Sequence, residues 1–280
     1  MLNKLLNILT YLSLAILMFI VAYIIARCLL VDSFYIPSTS MKPTLMPGSR
    51  IVVDKTIMGA RIYKNFNFND NNYKLEIWRT RGRKPIKHND LVVYNRVNYK
   101  DKIKFVINDV YCKRIIGLPG DTIRIINGHY TNNNYNKPLG IHKQQNLLQH
   151  TPDSTLEAEN LLRSMPKEEH FNWTINNFGP LYIPRKGDVI HITPETATVF
   201  KTILEWETNN KILIDWDENK VMAKGVSYET HCFKHNYYFM GGDNVLNSND
   251  SRYMGVVPEE YIIGVVSFVV PALTNTHKYK

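Results

Sequence analysis

Residues 5–26, LLNILTYLSLAILMFIVAYIIA, run for 22 positions without a charge. As a helix rising 1.5 Å per residue, the run reaches about 33 Å, the thickness of a bilayer's hydrocarbon core. It exceeds the roughly 7–15 apolar residues of a cleavable signal peptide, and no small-x-small cleavage site follows it. The run therefore predicts an uncleaved single-pass anchor over 5–26, with residues 1–4 as a short N-terminal tail. Charge says little about orientation, because Lys4 on one side is balanced by Arg27 and Lys42 less Asp32 on the other. A second apolar stretch, YIIGVVSFVVPAL from Tyr261, is too short to span and rich in β-branched residues, so it reads as a buried strand.

The full chain of 280 residues leaves ample length past the anchor for a core, and a composition 44% hydrophobic and 21% charged is that of a globular protein. The formal charge is +9, but the basic residues are scattered and no helix-turn-helix, zinc-finger or RNP pattern occurs. Nucleic acid is therefore not an expected partner, and a diffuse positive excess suits an anionic membrane surface. Cys28, Cys112 and Cys232 lie far apart with no C-x-x-C pair, which argues against a zinc site and against a Cys112–Cys232 bridge.

From Arg50 onward short β-branched runs alternate with turn signals: RIVVD, DLVVYN, KFVIND, DTIRII, YYFM and YIIGVVSFVV. The pattern predicts a mainly β body made of antiparallel strands. Asn127-Gly128 predicts a two-residue hairpin turn, since both residues tolerate positive φ. Two helices interrupt the strands, one opening at an N-cap Thr193 with Pro194 at its first position, the other around 156–162. The Asn-rich segments NFNFNDNNY from Asn65 and NGHYTNNNYN from Asn127 read as surface loops. The expected division is a β core from 27–127 and 236–280, with an inserted second β/α region over 128–235.

Three segments carry candidate chemistry. FYIPSTSMKPTL, residues 34–45, offers Ser38, Thr39 and Ser40; VYCKRIIGLPGD, residues 110–121, places Lys113 inside a strand-like run; FMGGDNVLNSNDSRYMGVVPE, residues 239–259, clusters small polar residues. No Gly-x-Ser-x-Gly elbow is present, and none of the nine histidines falls in these segments. A lysine can act as the base for a serine if burial keeps its amine neutral. In a strand, Lys113 shares a face with Tyr111 and Ile115, whereas Arg114 points the other way. By itself, a lysine in a strand is more often a solvent-face or edge residue.

Taken together, IPSTSMKPTL, RIVVDK, CKRIIGLPGD and GDNVLNSNDSR, in this order behind an N-terminal anchor, resemble the bacterial type I signal peptidases, membrane-anchored Ser/Lys proteases. The resemblance covers about a quarter of the chain directly. It implies Ser40 as nucleophile, Lys113 as general base, and the Ser38 hydroxyl with the Ser40 backbone N–H as the oxyanion hole. It further implies that Ser248 orients the lysine amine and that Asp250 and Arg252 form a supporting ion pair, with Asp243 in the same box. Ile36, Pro37, Met41, Leu45 and Tyr111 would line a small S1 pocket, with Phe34, Ile36, Ile51 and Val92 around S3. Such shallow apolar pockets accept Ala and exclude larger side chains. No metal or cofactor is implied.

Val245 and Leu246 stand where the family's last box commonly has Arg and Asp, and Ser49 stands where an acidic residue is usual. The expected function is removal of signal peptides from exported preproteins after Ala-x-Ala-like sites. The expected setting is the bacterial inner membrane, with the catalytic body on the extracytoplasmic side, near the lipid and the export machinery. Two rivals share these motifs: a Ser/Lys peptidase dedicated to one substrate, and a catalytically silent domain that only binds extended peptides. A self-cleaving repressor would begin with a DNA-binding domain instead of an apolar span.

Overall fold

The computed structural model describes residues 2–68, 73–99 and 102–272. The N-terminal helix, Leu2–Leu29, contains the apolar run and is long and apolar enough to cross a membrane; none of its spanning window is buried against the body. Its threonine and serine hydroxyls turn inward to the backbone, Thr10 donating to the Leu6 carbonyl at 2.9 Å and Ser13 to the Thr10 carbonyl at 2.8 Å. Neither polar group is thereby left unpaired on the helix surface.

The body is mainly β. Its main sheet has seven antiparallel strands: β1 (Val31–Tyr35), β2 (Arg50–Asp54), β3 (Leu91–Asn95), β4 (Val110–Gly117), β5 (Tyr237–Gly241), β6 (Val257–Pro258) and β7 (Ile262–Val270). Their spatial order is β1-β2-β7-β3-β4-β5-β6, so the last strand in sequence sits between the second and third. β7 contains a register shift against each of its partners, and β5 has one against β4. Shifts of this kind bend and twist a sheet, so both faces of this one can enclose core. One core cluster joins Ile36, Met41, Leu45, Ile51, Val93 and Ile263; another joins Val92, Tyr94, Ile115, Met240 and Ile262.

A third cluster lies under the second region, which is built on the strand Thr122–Ile126 paired with both His129–Asn132 and Phe178–Tyr182. The turn at Asn127 and Gly128 has positive φ at both residues, 49° and 80°, as a two-residue hairpin of this kind needs. The long helix Pro194–Thr208 opens as expected: the Thr193 side chain accepts from the Thr196 N–H, Thr196 caps back, and Pro194 takes the first turn. Its Phe200, Ile203 and Leu204 are buried.

Several local expectations change. KFVIND is not a strand, because Phe105 alone turns into the core while Val106 and Ile107 stay exposed, and the carbonyls of these last two accept from the Asn95 amide at 2.9 Å each. NGHYTNNNYN is a loop only beyond Asn132, its first half being the strand that completes the hairpin. The helix read at 156–162 is Asp153–Ala158, ended by Asn160 at φ 57°, and a further helix at His142–Gln149 lacks any side-chain cap to announce it. All three cysteines are free thiols.

Candidate active site

The connection from β1 to β2 carries Ser38 and Ser40. Its base is closed by backbone bonds from Ile36 N–H to Ser49 O and Gly48 N–H to Ile36 O, both 2.9 Å, while Met41 and Leu45 sink into the core beneath. This fixes the Ser38–Ser40 turn above an apolar floor. Lys113 comes from the middle of β4, where it is paired with Val92 on β3 and is 4% exposed. Its Nζ donates to Ser40 Oγ at 2.7 Å, and Ser38 Oγ lies 3.2 Å from Ser40 Oγ. The Ser40 backbone N–H has no acceptor among the described residues.

Burial pushes the Lys113 amine below its ordinary value, against the pull of Asp250 and with the help of Arg252. Tyr111, on the same face of β4, sets its ring 5.5 Å from the amine. A buried amine held toward neutrality and hydrogen-bonded to a hydroxyl can take that hydroxyl's proton. Burial also pushes the Cys112 thiol up to about 12, so the neighbouring sulfur stays protonated and is no competing nucleophile.

Behind the lysine, Asp250 and Arg252 form a fully buried two-pronged pair, Nε to Oδ1 at 2.8 Å and Nη2 to Oδ2 at 2.9 Å. Burial opposes ionisation of Asp250, but the Arg252 charge and the Gly242 N–H outweigh it and hold the carboxyl below its usual range. Asp243 forms a second such pair, accepting from Arg114 Nε and Nη2 at 2.6 Å each and from the Thr44 hydroxyl. Arg114 points away from Lys113's face, so neighbouring residues of one strand serve the amine and the scaffold separately.

Ser248 departs from expectation. Its hydroxyl is buried, has no hydrogen-bond partner among the described residues and makes no bond to the Lys113 amine. It packs so closely on Gly242 that a Cβ there would lie 2.0 Å from Ser248 Oγ and 2.8 Å from the Ser40 carbonyl oxygen. Only glycine fits between them.

A cleft of about 320 Å3 runs past Ser40 and Lys113, lined by Phe34, Ile36, Pro37, Met41, Ile51 and Tyr111. Leu45 lies in the core cluster under this lining and does not face the cleft. Val92 does not line it either. Side chains alternate along β3, so Val92, directly opposite Lys113, packs into the other core cluster with Tyr94 and Ile115, while Val93 takes the place expected of it.

Sequence reasoning missed Arg114, Thr44, Val93, Asn244, Asn247 and Asn249. The last two line the cleft or its rim; Asn247 Nδ2 donates to Thr39 Oγ1 at 2.9 Å, and Asn244 donates to Thr39 O and Ser40 O. Thr39 is thus the residue that ties the Ser38–Ser40 loop to the 244–247 segment. Val245 is buried in the second region's core and Leu246 packs against it, which explains how this chain holds apolar residues at two positions of a polar box. Among the described residues no group of three or more His, Cys, Asp or Glu is placed to hold a metal.

Comparison with known proteins agrees along nearly the whole body. The family described as signal peptidase, peptidase S26, matches residues 9–271. The signal peptidase I of Buchnera aphidicola subsp. Baizongia pistaciae is 31% identical over 259 residues, covering 89% of this chain and 72% of that one. That of Buchnera aphidicola subsp. Acyrthosiphon pisum is 29% identical over 250 residues, covering 87% and 69%. A crystal structure of a signal peptidase I from Enterococcus faecalis V583 matches 66% of this chain and 98% of its own, at 18% identity and a TM-score of 0.28. Since the match starts inside the N-terminal helix and runs past the last strand, taking in every residue of the cleft, the chain belongs to the signal peptidase S26 family of serine peptidases.

Proposed function

We propose that this peptidase removes signal peptides from exported preproteins with a Ser40/Lys113 dyad. The observation that carries the reading is the 2.7 Å hydrogen bond between a lysine 4% exposed and the Ser40 hydroxyl. Lys113, neutral, accepts the Ser40 proton as Oγ attacks the scissile carbonyl. The oxyanion so formed is met by the Ser38 hydroxyl and the Ser40 N–H, donors that matter because the charge develops only in the transition state. Collapse breaks the C–N bond, the lysine returns its proton to the leaving amine, and a water deprotonated by the same lysine hydrolyses the acyl-enzyme.

Strand pairing supports the substrate's path. β5 pairs with β4 only from Arg114 onward, so the edge at 110–113 has no strand on that side among the described residues, and it lies beside Ser38–Ser40 in the cleft lining. An extended peptide can add there by main-chain bonds while its alternate side chains enter the apolar lining. Ile36, Met41, Ile51 and Val93 leave room for Ala before the scissile bond and at the third position back, and they crowd larger groups.

The N-terminal helix serves as the membrane anchor in this reading. The body is locked to its end: Lys55 Nζ donates to the Arg27 carbonyl at 2.6 Å, Lys55 N–H to the Leu30 carbonyl at 2.8 Å, and Asp32 pairs with both Arg27 and Lys55. Ser40 follows within a dozen residues of the helix end, which keeps the cleft near the bilayer. There it meets preproteins whose own apolar segment is in the membrane, on the extracytoplasmic side where the export machinery delivers them.

The test is cleavage of a preprotein with an Ala-x-Ala site by the purified full chain in detergent, with N-terminal sequencing of the product. Wild type is expected to cut after the second Ala, and Ser40→Ala and Lys113→Ala to leave the preprotein intact. An inactive wild type, or variants that cut as well as it does, defeats the reading.

A further inference from the structure

A second cleft, of about 1150 Å3, shares no lining residue with the first. It opens between the long helix Pro194–Thr208 and the strand pair Asn98–Tyr99 and Lys102–Ile103. Its floor is apolar, with Ile103, Leu181, Phe200, Trp206 and Val256. Its walls are basic. Lys74, Lys102 and Lys104 stand on one side, Lys201 and Lys211 on the helix side, and Lys167 on a connecting loop, all exposed.

Among the described residues the lining sets only two acids, Glu168 and Glu205, against these six lysines, and Glu205 already accepts from the Ile212 N–H at 3.1 Å. Lys74 donates across the mouth to Asn209 at 2.9 Å; among the described residues the other five form no ion pair. Scattered surface lysines are ordinary, but these converge from facing walls on one concavity. Like charges so placed repel, and carboxylates entering between them relieve the repulsion.

We infer that this cleft binds an acidic, amphipathic peptide segment of a protein partner. The volume exceeds the roughly 300–1,000 Å3 of small-molecule pockets, and an extended chain fits it: alternate side chains meet the apolar floor while the intervening carboxylates reach the lysines. A bilayer surface is flat and cannot follow lysines into facing walls, which favours a chain over a lipid face. The site is independent of the Ser40 chemistry.

The test uses the full chain in uncharged detergent micelles and a fluorescein-labelled peptide of alternating glutamate and leucine, followed by anisotropy. Saturable binding is expected, at least ~10-fold weaker for a glutamate–serine peptide, absent for a lysine–leucine peptide, and weakened at high salt. The exposed double variant Lys104→Glu/Lys201→Glu is expected to fold, to keep Ser40-dependent preprotein cleavage, and to lose at least ~10-fold in affinity, about the effect of one reversed charge pair at a desolvated site. Absence of saturable binding, binding that the double variant leaves unchanged, or displacement of the peptide by phosphatidylglycerol added to the micelles overturns the inference. None of these outcomes bears on the dyad, which the cleavage assay judges separately.

Discussion

Two buried polar clusters in this protein use similar groups to opposite ends. In the second region Glu207 has nearly every lone pair taken: Tyr237 OH at 2.6 Å, Lys234 N–H at 2.9 and 3.1 Å, and His231 Nε2 at 2.9 Å, with the Tyr228 hydroxyl 2.6 Å from the other ring nitrogen. In the cleft, Lys113 is equally buried but donates only to Ser40, and the Ser248 hydroxyl beyond it has no partner among the described residues. A saturated cluster fixes the long helix to the strand Tyr237–Gly241 and has no capacity left for chemistry. The cluster around Lys113 leaves its amine under-bonded and pushed toward neutrality, the condition the proposed chemistry needs.

The sharpest way to break the comparison is to replace the lysine with an apolar residue of similar length. Lys113→Met is expected to lose on the order of 10⁴-fold or more in kcat/KM on a preprotein, with a melting temperature equal to or above wild type, since a buried amine is being exchanged for packing. A fall in melting temperature as large as the fall in activity would make Lys113 structural, like Glu207. Lys113→Arg is expected to be equally inactive, because guanidinium stays protonated at any usable pH.

Glu207→Ala inverts the pattern. It strips the partner from His231, Tyr237 and Lys234 at once, and a loss of about 3–5 kcal/mol in unfolding free energy is expected, read by denaturant titration. Cleavage per folded molecule is expected to stay within a few-fold of wild type. Smaller again is Gly242→Ala, whose Cβ meets Ser248 Oγ and the Ser40 carbonyl. Displacing the Ser40 loop by about 1 Å is expected, under the proposed mechanism, to lower kcat roughly 10²-fold, with KM little changed.

The gentlest test is pH. In the proposed mechanism Lys113 acts when neutral and its value lies below the ordinary 10.5, so kcat/KM should rise with pH to a plateau whose acid limb falls below that value. Glu207 titrates in the opposite sense. Burial would raise it, but its hydrogen bonds hold it below 4.5, so its contribution to stability is complete above pH 4.5 and is lost as pH drops through the folded value. The second region should therefore hold at every pH above 4.5, whatever the activity does on acidification. Coincident transitions in activity and in tryptophan fluorescence would merge the two clusters into one.

Much of this was legible in the sequence because it depends on local pattern. The uncharged run gave the helix, β-branched runs bounded the strands, and Thr193-Pro194 marked the start of the long helix. Ser40 and Lys113 could be singled out only through the resemblance to a family, since the strand containing Lys113 looks like many others; the burial that lowers the amine depends on segments arriving from far along the chain. Val92 was placed one residue off because a strand's face alternates at every step and the sequence does not say which face the cleft takes. Arg114 was visible beside Lys113, but its carboxylate partner Asp243 is 129 residues away. The basic cleft was invisible for the same reason, its lysines coming from five separate segments.

The place of β7 has a consequence for the order of events as the chain is made. Ser40 hangs from the β1–β2 pair and Lys113 from β3–β4, and among the described residues these two halves of the sheet touch through strand pairing only across residues 262–270, the last described strand. A chain still emerging from the ribosome can thus hold both halves and yet have no peptidase, and its own apolar N-terminal helix is out of reach of a site that does not yet exist.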